Sequence, residues 1–122
     1  MNRRFGKHPP KHDYRTLRFK NYAEKLSTPP AAYDGLPRVY KGCGVSDPTT
    51  LFPMDGNDTL GDCTIAALAH AQTVYRGLVG KEKILPKQLV VKLYMHLTGG
   101  VDSGLNELDV LNYWQSTKVG GD

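Results

Sequence analysis

At 122 residues, with 39% hydrophobic side chains, the chain is long enough for one domain with a modest core. No run of about 18 apolar residues is present, which excludes a predicted membrane span, and two cysteines, Cys43 and Cys63, are too few for a disulfide framework. The net charge of +4 is lopsided: residues 1–20 carry seven Lys or Arg against Asp13 alone, whereas the other 102 residues carry nine basic and eleven acidic side chains.

Residues 1–20 therefore read as a basic flexible arm. Such an arm either stays solvated or neutralises phosphates or an acidic protein surface. Its sequence, MNRRFGKHPPKHDYRTLRFK, has no apolar run and no small-residue cleavage site, so it does not read as a secretory leader. The expected location is a reducing one, cytoplasmic or virion-associated. Residues 21–60 read as an extended, Pro-rich wrapping segment. Seven of the eight prolines (Pro9, Pro10, Pro29, Pro30, Pro37, Pro48 and Pro53) fall within the first 53 residues, where they remove donors that long helices need. TLRFKNYAEKL, 16–26, is the one stretch there with helical spacing. Phe5, Tyr14, Phe19, Tyr33, Tyr40 and Phe52 are the residues expected to hold this half against a surface.

From residue 61 the pattern turns helical, giving a core over 61–122. The first helix is predicted from Asp62 to Leu78, with Asp62 as N-cap and Gly77 or Gly80 near its stop. Ile65, Leu68, Ala69 and Gln72 mark one face, and Ala67, His70, Ala71, Val74 and Leu78 another. The second is predicted to open with Pro86 at the first helical position and to end near Thr98, before Gly99-Gly100. Leu89, Leu93 and Leu97 form its stripe, with Val90 and Tyr94 beside it. The third runs from Asn106, as cap, to Thr117, with Asp109 as reciprocal partner and Leu108, Leu111 and Trp114 facing inward. The predicted fold class is mainly α: a long irregular Pro-rich N-terminal segment, then about three packed helices.

The junction of loop and helix carries the chemistry. NDTLGDCTIAALAHA, 57–71, places Cys63 just after a Gly-Asp turn, where a helix begins. A helix N-terminus favours thiolate character, and the Cys63 backbone N–H is placed to meet a developing oxyanion. Gly61 permits close approach of a substrate backbone, and the Asn57 amide supplies a second oxyanion donor.

These residues resemble the papain-like cysteine peptidases, in which a Gln, then a Gly two residues before the nucleophilic Cys, lead into a long buried helix. Here Asn57 stands six before Cys63 and Gly61 two before it. FPMDGNDTLGDCTIAALAHA is also similar to a segment of bacterial and phage-encoded proteins associated with that fold. The likeness covers residues 50–122 and implies the helical half of a papain-like α+β fold. It implies Cys63 and Asn57 as catalytic residues, Gly61 and Asp62 at the substrate, and neither metal nor cofactor. The family takes its His from a sheet further along the chain. The expectation is thus a cysteine-hydrolase-related domain that is inactive alone and takes its base from a further segment or a partner.

The chain's own histidines do not fill that role on sequence grounds. His70 lies seven residues after Cys63, about 10 Å along one helix face, and reads as structural. His96 lies late on the second helix, and His8 and His12 read as solvated arm residues. DGNDTLGD begins like a calcium loop, but Leu60 and Ala66 stand where Gly and Glu are needed. Gly99, Gly100 and Gly104 read as stops and turns, lacking a nucleotide-binding pattern. Cys43 and Cys63 alone cannot complete a zinc site. Two other classes stand beside the hydrolase reading. One is a non-catalytic structural or assembly protein, phage-associated for example, that binds a protein partner or itself through the arm. The other is weak nucleic-acid contact by the basic arm, ranked last because the second and third helices carry only Lys87 and Lys92.

Overall fold

A computed structural model describes residues 6–15, 24, 41, 47–81, 84–117 and 119. The helix expected over 16–26, the loop around Cys43, and Phe5, Phe19, Tyr33 and Tyr40 lie outside the described residues, as do Pro29, Pro30 and Pro37. The described part is mainly α. A single turn, α1 (Pro48–Leu51), precedes three helices: α2 (Cys63–Leu78), α3 (Lys87–Leu97) and α4 (Glu107–Thr117). Among the described residues the only extended pairing is an isolated parallel bridge between Lys7 and Leu105. No described helix is long and apolar enough to cross a membrane.

The central element is α2, which contacts both α3 and α4. Its buried face runs through Ile65, Ala66, Ala69, Thr73 and Gly77, mostly small side chains that let neighbouring helices come close. The buried Thr73 hydroxyl is satisfied by donating to the Ala69 carbonyl at 3.1 Å. Ile65, Ala69, Leu85, Val90, Leu93, Tyr94 and Val110 form the main core, and Leu51 with Phe52, Val74, Leu78 and Ile84 forms a second, smaller cluster. Each fully buried aliphatic side chain contributes about 1.5–3 kcal/mol.

Helices α2 and α3 stop by the same device. Lys81 N donates to Arg76 O and Gly80 N to Gly77 O; one helix later, Gly100 N donates to Met95 O and Gly99 N to His96 O. This is the Schellman pattern, with Gly80 and Gly99 each at φ +68, a conformation that a side chain resists. Asn106 caps α4 as expected, its Oδ1 accepting from Leu108 N at 3.0 Å.

Several sequence expectations are corrected. Pro86 is the N-cap of α3, with extended ψ 141, and not its first helical residue. The buried face of α3 is Val90, Leu93 and Tyr94, while Leu89 is 36% exposed. The helix is rotated this way because the Tyr94 hydroxyl reaches inward to Asp102 and Gly104. In α4, Val110 is the buried residue; Leu111 is 49% exposed and Trp114 only packs against the core edge. Asp109 pairs with Lys11 instead of completing the cap. Tyr14 holds nothing down, at 95% exposure, whereas Phe52 packs edge-on to the His70 ring. Residues 6–11 of the basic arm lie against the loop before α4: Leu105 N donates to Gly6 O at 2.7 Å and His8 N to Leu105 O at 3.0 Å.

Candidate functional site

The loop that delivers Cys63 to the start of α2 is a run of tight turns. Asn57 N donates to Met54 O, and Thr59 N and Leu60 N both donate to Gly56 O. Asp55 and Gly56 both take positive φ, which folds the loop back on itself. Gly56 lies directly on Asp62: a Cβ there would sit 2.9 Å from Asp62 Oδ2. The loop is tied to the far end of α3 by a chain of three bonds. Gly61 N donates to Asp102 Oδ1 at 2.9 Å, the Tyr94 hydroxyl donates to the same oxygen at 2.5 Å, and Gly104 N donates to the Tyr94 hydroxyl at 3.0 Å. Burial and the bond to Asp102 push the Tyr94 phenol up to about 12, so it remains a donor at any ordinary pH.

Two carboxyls are sealed into this loop. Asp62 is 0% exposed and neither of its oxygens meets a hydrogen-bond partner on another described residue. Burial pushes its pKa up to about 6, helped by the Asp55, Asp102 and Asp58 charges and opposed by its own backbone amide. Asp55, 2% exposed, is also raised by burial, against the pull of His70 and Lys87. Its Oδ2 lies 3.3 Å from His70 Nε2, which also meets the Pro53 carbonyl at 2.9 Å. Since a carbonyl only accepts, Nε2 carries the proton. His70 is thus a structural clamp between α2 and the loop, as its spacing from Cys63 implied.

Of the four residues expected at the site, three are consecutive at the helix start and the fourth, Asn57, lies in the turn six residues before Cys63. Cys63 is half-buried and opens α2. Asp62 occupies the N-cap position but makes no side-chain cap; only its carbonyl accepts, from Ile65 N and Ala66 N. Among the described residues no acceptor meets the Cys63 or Thr64 N–H. Gly61 is buried. Asn57 is exposed on the rim of the turn. The sealed position of Asp62 means that it acts on its neighbours through charge and does not meet solvent.

No histidine among the described residues is bonded to Cys63. His8 Nε2 donates to Ser103 O at 2.7 Å, His12 is exposed, His70 holds Pro53 and Asp55, and the His96 ring faces Tyr113 with centroids 6.0 Å apart. No cluster of three or more His, Cys, Asp or Glu able to hold a metal occurs among the described residues.

Sequence reasoning missed Tyr94, Asp102 and Gly6 as parts of this site. Asp102 and Gly6 meet Gly61 from 41 and 55 positions away, a separation over which neither periodicity nor motif spacing reports. The burial of Asp55 likewise had no local signal.

Comparison with family models, with curated proteins and with solved structures finds nothing similar to this chain.

Proposed function

We propose that the start of α2 is a papain-like cysteine-hydrolase site, with Cys63 at the nucleophile position, and that the chain alone does not turn over peptides. The observation that carries this reading is Cys63, partly buried as the first residue of the central helix α2, beside two backbone N–H groups without acceptors among the described residues. Those amides favour negative charge at the helix end. A carbonyl oxygen attacked there would develop its charge against the Cys63 N–H, with the Asn57 amide as second donor. The base is the missing part: a histidine brought to Sγ by another segment or a partner would take the thiol proton, and the thiolate would then add to the carbonyl carbon.

The test is iodoacetamide labelling of the Cys43→Ser chain as a function of pH, alongside turnover of a peptide mixture. Slow labelling at pH 5, without turnover, is the expected result. Fast labelling at pH 5, abolished by replacing one histidine, would overturn the claim that the base comes from outside these residues.

A second reading, a non-catalytic assembly protein that binds through its arm, is favoured by the docking of residues 6–11 and by the engagement of His8, His70 and His96 elsewhere. It predicts that Cys63→Ala leaves function and self-association intact.

A further inference from the structure

Two stretches of backbone come into direct contact where the arm crosses the loop before Cys63. A Cβ built on Gly6 would overlap the Gly61 carbonyl group and fall 2.5 Å from the Gly61 Cα. One built on Gly61 would fall 3.0 Å from Gly6 Cα, and one on Gly104 would overlap the Gly6 carbonyl and fall 3.0 Å from Gly6 Cα. Three backbones without side chains therefore meet at one point, and nothing larger than glycine can pass through the middle.

Beyond Gly6, successive residues of the arm meet separate partners. The backbone of Leu105 takes Gly6 and His8 as a neighbouring strand would, donating to one and accepting from the other. Lys7 Nζ meets Glu107 at 2.9 Å, and His8 Nε2 meets the Ser103 carbonyl. The buried Asn106 gives its Nδ2 to the Pro9 carbonyl at 2.6 Å while its Oδ1 caps α4. Lys11 then pairs with Asp109 in the first turn of the helix. Backbone pairing along an extended segment, with separate partners for its side chains, is how proteins bind extended peptides. The acidic first turn of α4 matches the basic arm.

We infer that the seam between Gly61 and the Gly104–Asn106 loop is a glycine-gated peptide-binding site, selective for extended basic segments of the pattern Gly-Lys-His-x-x-Lys, with residues 6–11 of the chain itself as resident ligand. It is independent of any chemistry at Cys63. Tethering gives the resident segment a high effective concentration, so a free peptide binds only when the arm is displaced. Its glycine is the gate, because an added Cβ meets backbone that no rotamer change can move. The two lysines supply attraction that salt weakens.

The experiment uses the full chain and a fluorescent peptide spanning Arg4–Tyr14. In the Gly6→Ala chain the Leu105 amide should lose hydrogen-exchange protection, and the peptide should bind at least about tenfold more tightly than to the wild-type chain. The same peptide carrying Gly6→Ala should bind neither. A second host, the Lys7→Glu/Lys11→Glu chain, alters only exposed side chains and so keeps its helical signal; there too the glycine peptide should bind and the alanine peptide should not. Equal binding of the two peptides to this host, or an unchanged Leu105 amide in the Gly6→Ala chain, would overturn the assignment.

Discussion

Two sets of carboxylates in this molecule are treated in opposite ways. Glu107 and Asp109, exposed on the first turn of α4, each face a lysine of the arm. Asp62, sealed beneath the loop before Cys63, has no partner on another described residue, and Asp55 beside it meets only His70. Exposed pairs contribute about 0–1 kcal/mol each, whereas a buried carboxylate without a partner costs several. Charge pairing thus sits where it matters least for stability. The difference teaches that the α4 seam is built to hold a displaceable segment, while the loop before Cys63 carries a cost that packing does not explain. Strained, charge-burdened positions of that kind gather where chemistry is done.

Substitutions in and around the two sets should separate them, beginning with the most damaging. Tyr94 is wholly buried and also bonds Asp102 and Gly104, so Tyr94→Ala should lose about 3–5 kcal/mol in urea denaturation, enough to threaten folding. Tyr94→Phe keeps the packing but takes the hydroxyl away from the Gly104 N–H and from Asp102 Oδ1. It should cost about 1–3 kcal/mol, with the loss of protection concentrated at the Gly61 and Gly104 amides. Lys7→Ala and Lys11→Ala should each cost less than about 1 kcal/mol, and salt at about 0.5 M should erase most of that. A lysine variant that proves more damaging than Tyr94→Phe would break the contrast, because the arm would then be a structural strut.

The sequence made the helices legible and their facing less so. Asn106 as a cap, Gly99 after Thr98 and the helix start at Cys63 follow from local rules, because capping and helix stops involve neighbours in the chain. The rotation of α3 does not, because it is set by where the Tyr94 hydroxyl finds Asp102. A stripe of Leu89, Leu93 and Leu97 suggested a face one residue away from the buried one. Trp114 likewise looked central on spacing, yet Val110 fills that place and the indole packs at the edge. At the site, Gly61-Asp62-Cys63 was visible as a motif. Nothing local announced that Asp62 would be sealed without a partner, or that Gly6 would press on Gly61 from 55 positions away.

If the helix start before Cys63 carries an uncompensated buried carboxyl, Asp62 must make stability depend on pH. Its pKa stands at about 6 in the fold against 3.8 ordinarily. The folded chain therefore holds that proton more tightly than the unfolded chain does. Stability from this group is full below about pH 4 and is lost as pH rises through 6, by on the order of 3 kcal/mol for a shift of this size. The measurement is the unfolding free energy of wild type and Asp62→Asn at about pH 3.5 and about pH 7.5, on either side of that window. Near equality is expected at the acid end, and a more stable Asp62→Asn chain at the alkaline end. A difference that does not change with pH, or an Asn variant that is the weaker of the two at the alkaline end, would contradict the buried, unpaired state of Asp62.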